Sequence, residues 1–120
     1  AKDRLAMNLE QELRKAKDEE SRSYLAHKLF NAYKSKSLLL TGARDYKASF
    51  ESAKQALSVS GLIDSTVQDR RAWSLQQMAE MSFALKKRKE GEQYLNEAAA
   101  CKLSDPNLIG FIANSQIVHQ

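Results

Sequence analysis

The chain has 120 residues, enough for one compact domain with a core and too few to presume two. Hydrophobic residues make up 42% and charged residues 28%, with a single proline and four glycines. That profile excludes a disordered or collagen-like chain and favours uninterrupted helices, because helix breakers are scarce. The net charge of +4 is concentrated between residues 21 and 60, where seven basic side chains meet two acidic ones. Lys28, Lys34, Lys36, Arg44, Lys47 and Lys54 give that stretch a mildly positive surface. So small a surplus reads as a solvated helix face, and nucleic acid is not among the expected partners.

No run alternates β-branched and polar residues as a strand would. No apolar run approaches the ~18 residues of a membrane span, and the amino terminus lacks the apolar core of a signal peptide. The lone Cys101 cannot form an internal disulfide. A soluble protein without membrane insertion follows, with the cytoplasm favoured but not required. The chain opens mid-pattern at Ala1-Lys2-Asp3-Arg4, as expected of a segment of a larger protein.

A leading helix is expected over residues 2–18, with Leu5, Leu9, Leu13 and Ala16 on one stripe. The cluster Asp18-Glu19-Glu20, followed by Ser21 and Ser23, supplies caps and charge for the next helix. That second helix, about Ser23 to Leu40, carries Ala26, Leu29, Phe30, Tyr33, Ser37 and Leu40 at helical spacing, and Thr41-Gly42 should end it through a left-handed glycine. A third helix, about Arg44 to Val59, shows Tyr46, Phe50, Ala53 and Leu57 at i, i+4, i+7 and i+11, closed by Ser60-Gly61. So short a link makes the pair an antiparallel hairpin over 23–60.

A second hairpin is expected over 64–103. Ser65-Thr66-Val67-Gln68 fits a capping box at the start of a helix running from Ser65 to Lys87. This helix is apolar on two faces, one with Val67, Leu75, Met78, Ala79, Ser82 and Leu85, the other with Trp73, Met81 and Ala84. A helix of that kind lies between neighbours. The next, about Glu90 to Leu103, places Gly91, Tyr94, Leu95 and Ala98 on one face, and its small residues permit close approach. Asp105 caps a terminal helix over 106–118 with Pro106 at its first position. Leu108, Ile109, Phe111, Ile112, Ile117 and Val118 suit a helix that another layer covers. Segments 46–57 and 88–99 align, Ser49 with Gly91 and Ala56 with Ala98, giving a period of about 42 residues.

On these residues the chain resembles the tetratricopeptide-repeat family over roughly residues 23–103. Leu75, Met78 and Ala79 match the large-large-small signature of that family's first helix, and Gly91, Leu95 and Ala98 match its second. Leu29, Tyr33, Ser49, Ala53 and Ala56 take those parts in the first hairpin. Long hairpins of this style are also similar to regulatory or sensor segments of larger bacterial signalling and transcription proteins. The resemblance implies an all-α single domain over 1–120, about six helices stacked as antiparallel hairpins, acting as an interaction scaffold. In the family the first helix of each pair lines the concave face. Carried over, that points to Asn31, Lys34, Gln76, Gln77 and Glu80 as the residues that grip a peptide or a partner helix.

Other chemistries fit these residues less well. Ala26-His27-Lys28-Leu29 resembles a histidine-phosphotransfer helix, with Lys28 or Lys34 to neutralise the phosphate, but Phe30-Asn31 stands where that family has lysine-glycine. His27 therefore reads first as an ordinary surface or boundary histidine. His119 has no sequence partner, and Cys101 reads as a small buried residue. Lys86-Lys87-Arg88-Lys89 reads as a solvated turn rather than a phosphate or localisation patch. No glycine-rich phosphate loop, paired-histidine motif or nucleophile elbow is present. The expectation is a non-enzyme without metal or cofactor, binding a protein or peptide, with self-association through the terminal helices as the alternative.

Overall fold

The structure is a computed structural model that describes residues 2–119. Ala1 and Gln120 of the expected 1–120 domain lie outside them. The described residues form six helices and no strand: α1 Lys2–Lys15, α2 Glu19–Gly42, α3 Tyr46–Ser60, α4 Asp69–Ala84, α5 Arg88–Ala99 and α6 Pro106–Val118. This is the expected all-α architecture. Consecutive helices pack on one another, and α6 lies against both α5 and α4. No helix among the described residues is long and apolar enough to cross a membrane.

Capping explains where two helices begin. The Asp18 carboxylate accepts the Ser21 amide at 2.7 Å, so α2 starts at Glu19, earlier than the expected Ser23. Asp105 accepts the Asn107 amide at 3.0 Å, and Pro106 opens α6 as the sequence indicates. The Ser65–Gln68 capping box does not form. Gln68 instead donates its amide to the Lys102 carbonyl at 2.7 Å and takes the Lys102 amide on its side chain at 3.3 Å. Helix α4 therefore begins at Asp69, and the Asp64 carboxylate reaches over to accept the Arg71 amide at 2.9 Å.

The two hairpin turns share one geometry. In the first, Ala43, Arg44 and Asp45 donate amides to the carbonyls of Leu39, Thr41 and Leu40; in the second, Leu85, Lys86 and Lys87 donate to Met81, Phe83 and Ser82. Each partner is displaced by the same 42 positions. Arg44 (φ 61°) and Lys86 (φ 64°) take the left-handed conformation, whereas no glycine does, contrary to the role expected of Gly42. Helix α5 consequently starts at Arg88 rather than Glu90, and the last basic residues of the 86–89 run belong to it.

Packing follows the two-hairpin plan with one local change of face. In α1 the buried stripe is Ala6, Leu9 and Leu13, while Leu5 is 55% exposed. One core cluster joins that stripe to Leu29, Phe30, Tyr33, Ala56 and Val59, and a second joins Ala72, Leu75, Ala79, Leu95, Leu108 and Ile112. Trp73 packs against both clusters and meets Phe30 edge-on at 6.0 Å. Residues Ser74 to Ala79 are all buried, so α4 lies between neighbours as its two apolar faces require. Val67 and Ala84, assigned to those faces, are exposed.

Candidate functional site: a groove floored by the central helix

The helices leave a groove whose floor is α4 and whose walls are α2 and α6. Its two adjoining hollows have volumes of about 420 and 260 Å³. Leu38 and Thr41 line the α2 wall, Asn107, Phe111, Asn114 and Val118 the α6 wall, and Trp73, Gln76, Gln77, Glu80 and Met81 the floor. Residues 111, 114 and 118 fall at i, i+3 and i+7, so helix geometry aims one stripe of α6 into the groove. Leu38 (50% exposed), Phe111 (58%) and Val118 (66%) leave both rims apolar and uncovered.

Beneath the floor lies a hydroxyl cluster. Ser37 donates to the Ser49 carbonyl at 2.9 Å, Ser49 to the Ser37 carbonyl at 2.8 Å, and Thr41 to the Ser37 carbonyl at 2.9 Å. The oxygens also meet one another, Ser49 Oγ lying 2.9 Å from Ser37 Oγ and 2.8 Å from Thr41 Oγ1. Gln77 Nε2 turns toward this cluster, at 3.2 Å from Ser37 Oγ, 3.0 Å from Thr41 Oγ1 and 3.4 Å from Ser49 Oγ. A parallel chain holds the neighbouring side chain: Ser115 donates to Glu80 Oε1 at 2.6 Å and accepts from Gln76 Nε2 at 3.5 Å.

At the α6 end, His119 stacks on Phe83 with ring centroids 3.8 Å apart and planes 8° from parallel. Its Nε2 lies 3.2 Å from Glu80 Oε2, and Arg88 donates to its carbonyl at 2.9 Å. The order Ser115–Glu80–His119 places the carboxylate between hydroxyl and imidazole, so the imidazole does not reach the hydroxyl and the order is not that of a Ser-His-Asp triad. His119, which lacked a sequence partner, has three here.

The five sequence-derived residues divide accordingly. Gln76 and Gln77 are 2% and 7% exposed and form the floor. Glu80 is half-buried in it. Lys34 stands beside it, its Nζ 5.0 Å from the Trp73 ring centroid. Asn31 is exposed on α2 and does not line either hollow. Sequence reasoning did not select Leu38, Asn107 or Asn114. The triple Leu38-Leu39-Leu40 was the available signal, since only Leu40 fits the buried stripe of α2.

His27 lies elsewhere, in a wide cleft of about 1070 Å³ between the start of α2 and the α3–α4 loop. Its Nδ1–H donates to the Ser23 carbonyl at 2.8 Å. Glu19, Glu20 and Asp64 share the cleft with Arg22, a lining of net negative charge. Lys28 lies over the Tyr24 ring and Lys34 over Trp73. Burial pushes the Cys101 thiol above its ordinary range, and its S–H donates to the Glu97 carbonyl. Among the described residues no group of three or more His, Cys, Asp or Glu is placed to hold a metal ion. No family model matches the sequence, and comparison with curated proteins and with solved structures gives no significant match.

Proposed function

We propose that this chain is a non-enzymatic interaction module, part of a larger regulatory protein, whose α2–α4–α6 groove holds a peptide or partner helix. The observation that carries this reading is the pair of uncovered apolar rims, Leu38 facing Phe111 and Val118 across a rigid floor. Such rims are what a docking partner desolvates. The floor from Trp73 to Met81 spans about 12 Å at helical rise, room for two turns of helix or about four extended residues. Its buried hydrogen-bond network holds the walls in place before binding, which limits the entropy lost on association. A tetratricopeptide-like origin accords with the repeated turn and with first helices lining the groove.

The test is selection of binders from a random peptide library, followed by measurement on Leu38→Glu and Phe111→Glu. Both side chains are exposed, so folding should survive. Selected peptides should lose at least about tenfold in affinity on either variant. Peptides that bind both variants like the parent chain would defeat the groove reading.

A second reading rests on α6 itself, which carries no charged residue and exposes Ile109, Ala113 and Ile117 on its outer side. A second copy of the chain could cover that stripe without charge repulsion. Light scattering over a concentration range decides it: a dimer abolished by Ile117→Lys supports self-association, and a monomer throughout removes it.

A further inference from the structure

The hollow of about 260 Å³ at the Trp73 end of the groove has a chemistry of its own. We infer that it receives the basic side chain, lysine or arginine, of the bound peptide, between the Trp73 and Phe111 rings and against the Gln76 and Gln77 carbonyl oxygens. This rests on the groove reading above and specifies what the groove selects.

Three observations lead to it. First, both glutamine amides are oriented by their nitrogens: Gln77 Nε2 faces the Ser37–Thr41–Ser49 hydroxyls and Gln76 Nε2 faces Ser115. Their Oε1 atoms have no donor among the described residues and keep contact with solvent, and both side chains line the hollow. A ligand rich in N–H donors can take the place of water on two such acceptors. Second, the walls are aromatic, and an aromatic face attracts a cation. Trp73 already holds one cation, Lys34 Nζ at 5.0 Å from its centroid, so the ligand's cation takes the Phe111 side of the hollow. Third, among the described residues Asp105 is the only charged one that lines this hollow. Its carboxylate opposes the positive amino end of α6, which would otherwise repel a cation. A neutral apolar side chain would use the rings and leave both carbonyls unpaired; an acidic one would meet Asp105 and those carbonyls.

Trp73 is the single tryptophan, so its fluorescence reports this hollow directly. The full chain is titrated with N-acetyl-lysine-N-methylamide, with the arginine analogue, and with the isosteric neutral norleucine analogue. The basic probes should give a saturable change and norleucine one at least about tenfold weaker. Phe111→Ala removes one exposed wall, and Asp105→Asn keeps the helix cap while deleting the charge. Each should weaken the basic probes about three- to tenfold while circular dichroism stays unchanged. Equal binding of norleucine, silence from every probe, or wild-type binding by both variants overturns the proposal. A groove-binding peptide indifferent to replacement of its basic residues by norleucine sinks the basic pocket and leaves the groove. Basic probes that bind a chain able to hold no peptide do the reverse.

Discussion

The α2–α3 and α4–α5 hairpins have the same turn and opposite interiors. At matching positions the first carries Thr41 and Ser49, the second Phe83 and Gly91. In the first hairpin two small hydroxylated residues touch at 2.8 Å. In the second a ring takes all the space, and a Cβ on Gly91 would come within 2.8–2.9 Å of Phe83 ring atoms. One backbone frame is thus filled either by hydrogen bonding or by volume. The polar solution anchors Gln77 of the next hairpin, and the apolar one seats His119 of α6. Each hairpin's filling is what holds the following element.

The comparison breaks most sharply at Gly91. Gly91→Val should cost about 2–3 kcal/mol, because Phe83 is backed by the His119 ring and cannot swing away freely. Restoration of stability in the double variant with Phe83→Leu would confirm the volume exchange; equal loss in both backgrounds would refute it. In the polar hairpin, Gln77→Leu removes the amide that three hydroxyls share and should cost about 2 kcal/mol, measured by urea unfolding. Gln76→Leu, losing one long bond to Ser115, should cost less than half as much.

The shared turn predicts a gain. Arg44→Gly and Lys86→Gly each relieve a side chain of the left-handed backbone and should stabilise by about 1 kcal/mol, alike in both hairpins. A gain at one turn only would show that the two are not equivalent. The smallest effect concerns Tyr33, whose hydroxyl donates to Glu10. Burial, then that carboxylate, holds the phenol above its ordinary range, so the unfolded chain ionises first. Its contribution is complete below pH ~10 and declines as pH rises beyond it, and Tyr33→Phe should flatten that decline in thermal melts.

Most of the helices were legible because the apolar spacing is regular and the caps at Asp18 and Asp105 are local. The capping box failed for the converse reason. Ser65 to Gln68 has the right letters, but Gln68 finds its partner in Lys102, which no local pattern reveals. Glycine was expected at the turns because it costs least there, and Arg44 and Lys86 occupy them instead. Of the candidate site, the floor was legible and the walls were not. Polar residues on the first helix of each pair could be picked from helical register. That Gln76 and Gln77 turn their nitrogens inward depends on Ser115 and Ser37, 39 and 40 residues away. Leu38 and Phe111 face each other only after α6 has docked.

The tie between Gln68 and Lys102 closes α4 and α5 into a ring without a covalent bond. Ser104 strengthens it, donating its amide and hydroxyl to the Asp69 carboxylate at 2.9 and 2.6 Å. A segment closed at both ends cannot fray from either. The second hairpin should therefore open as one cooperative unit, with the Gln68 amide exchanging its hydrogen at the rate of the central α4 amides despite its place at a helix end. The α2–α3 hairpin shares the turn but shows no such tie between the start of α2 and the end of α3 among the described residues, and it should exchange sooner. Opening is then graded across the molecule, and the groove floor belongs to the part that opens last.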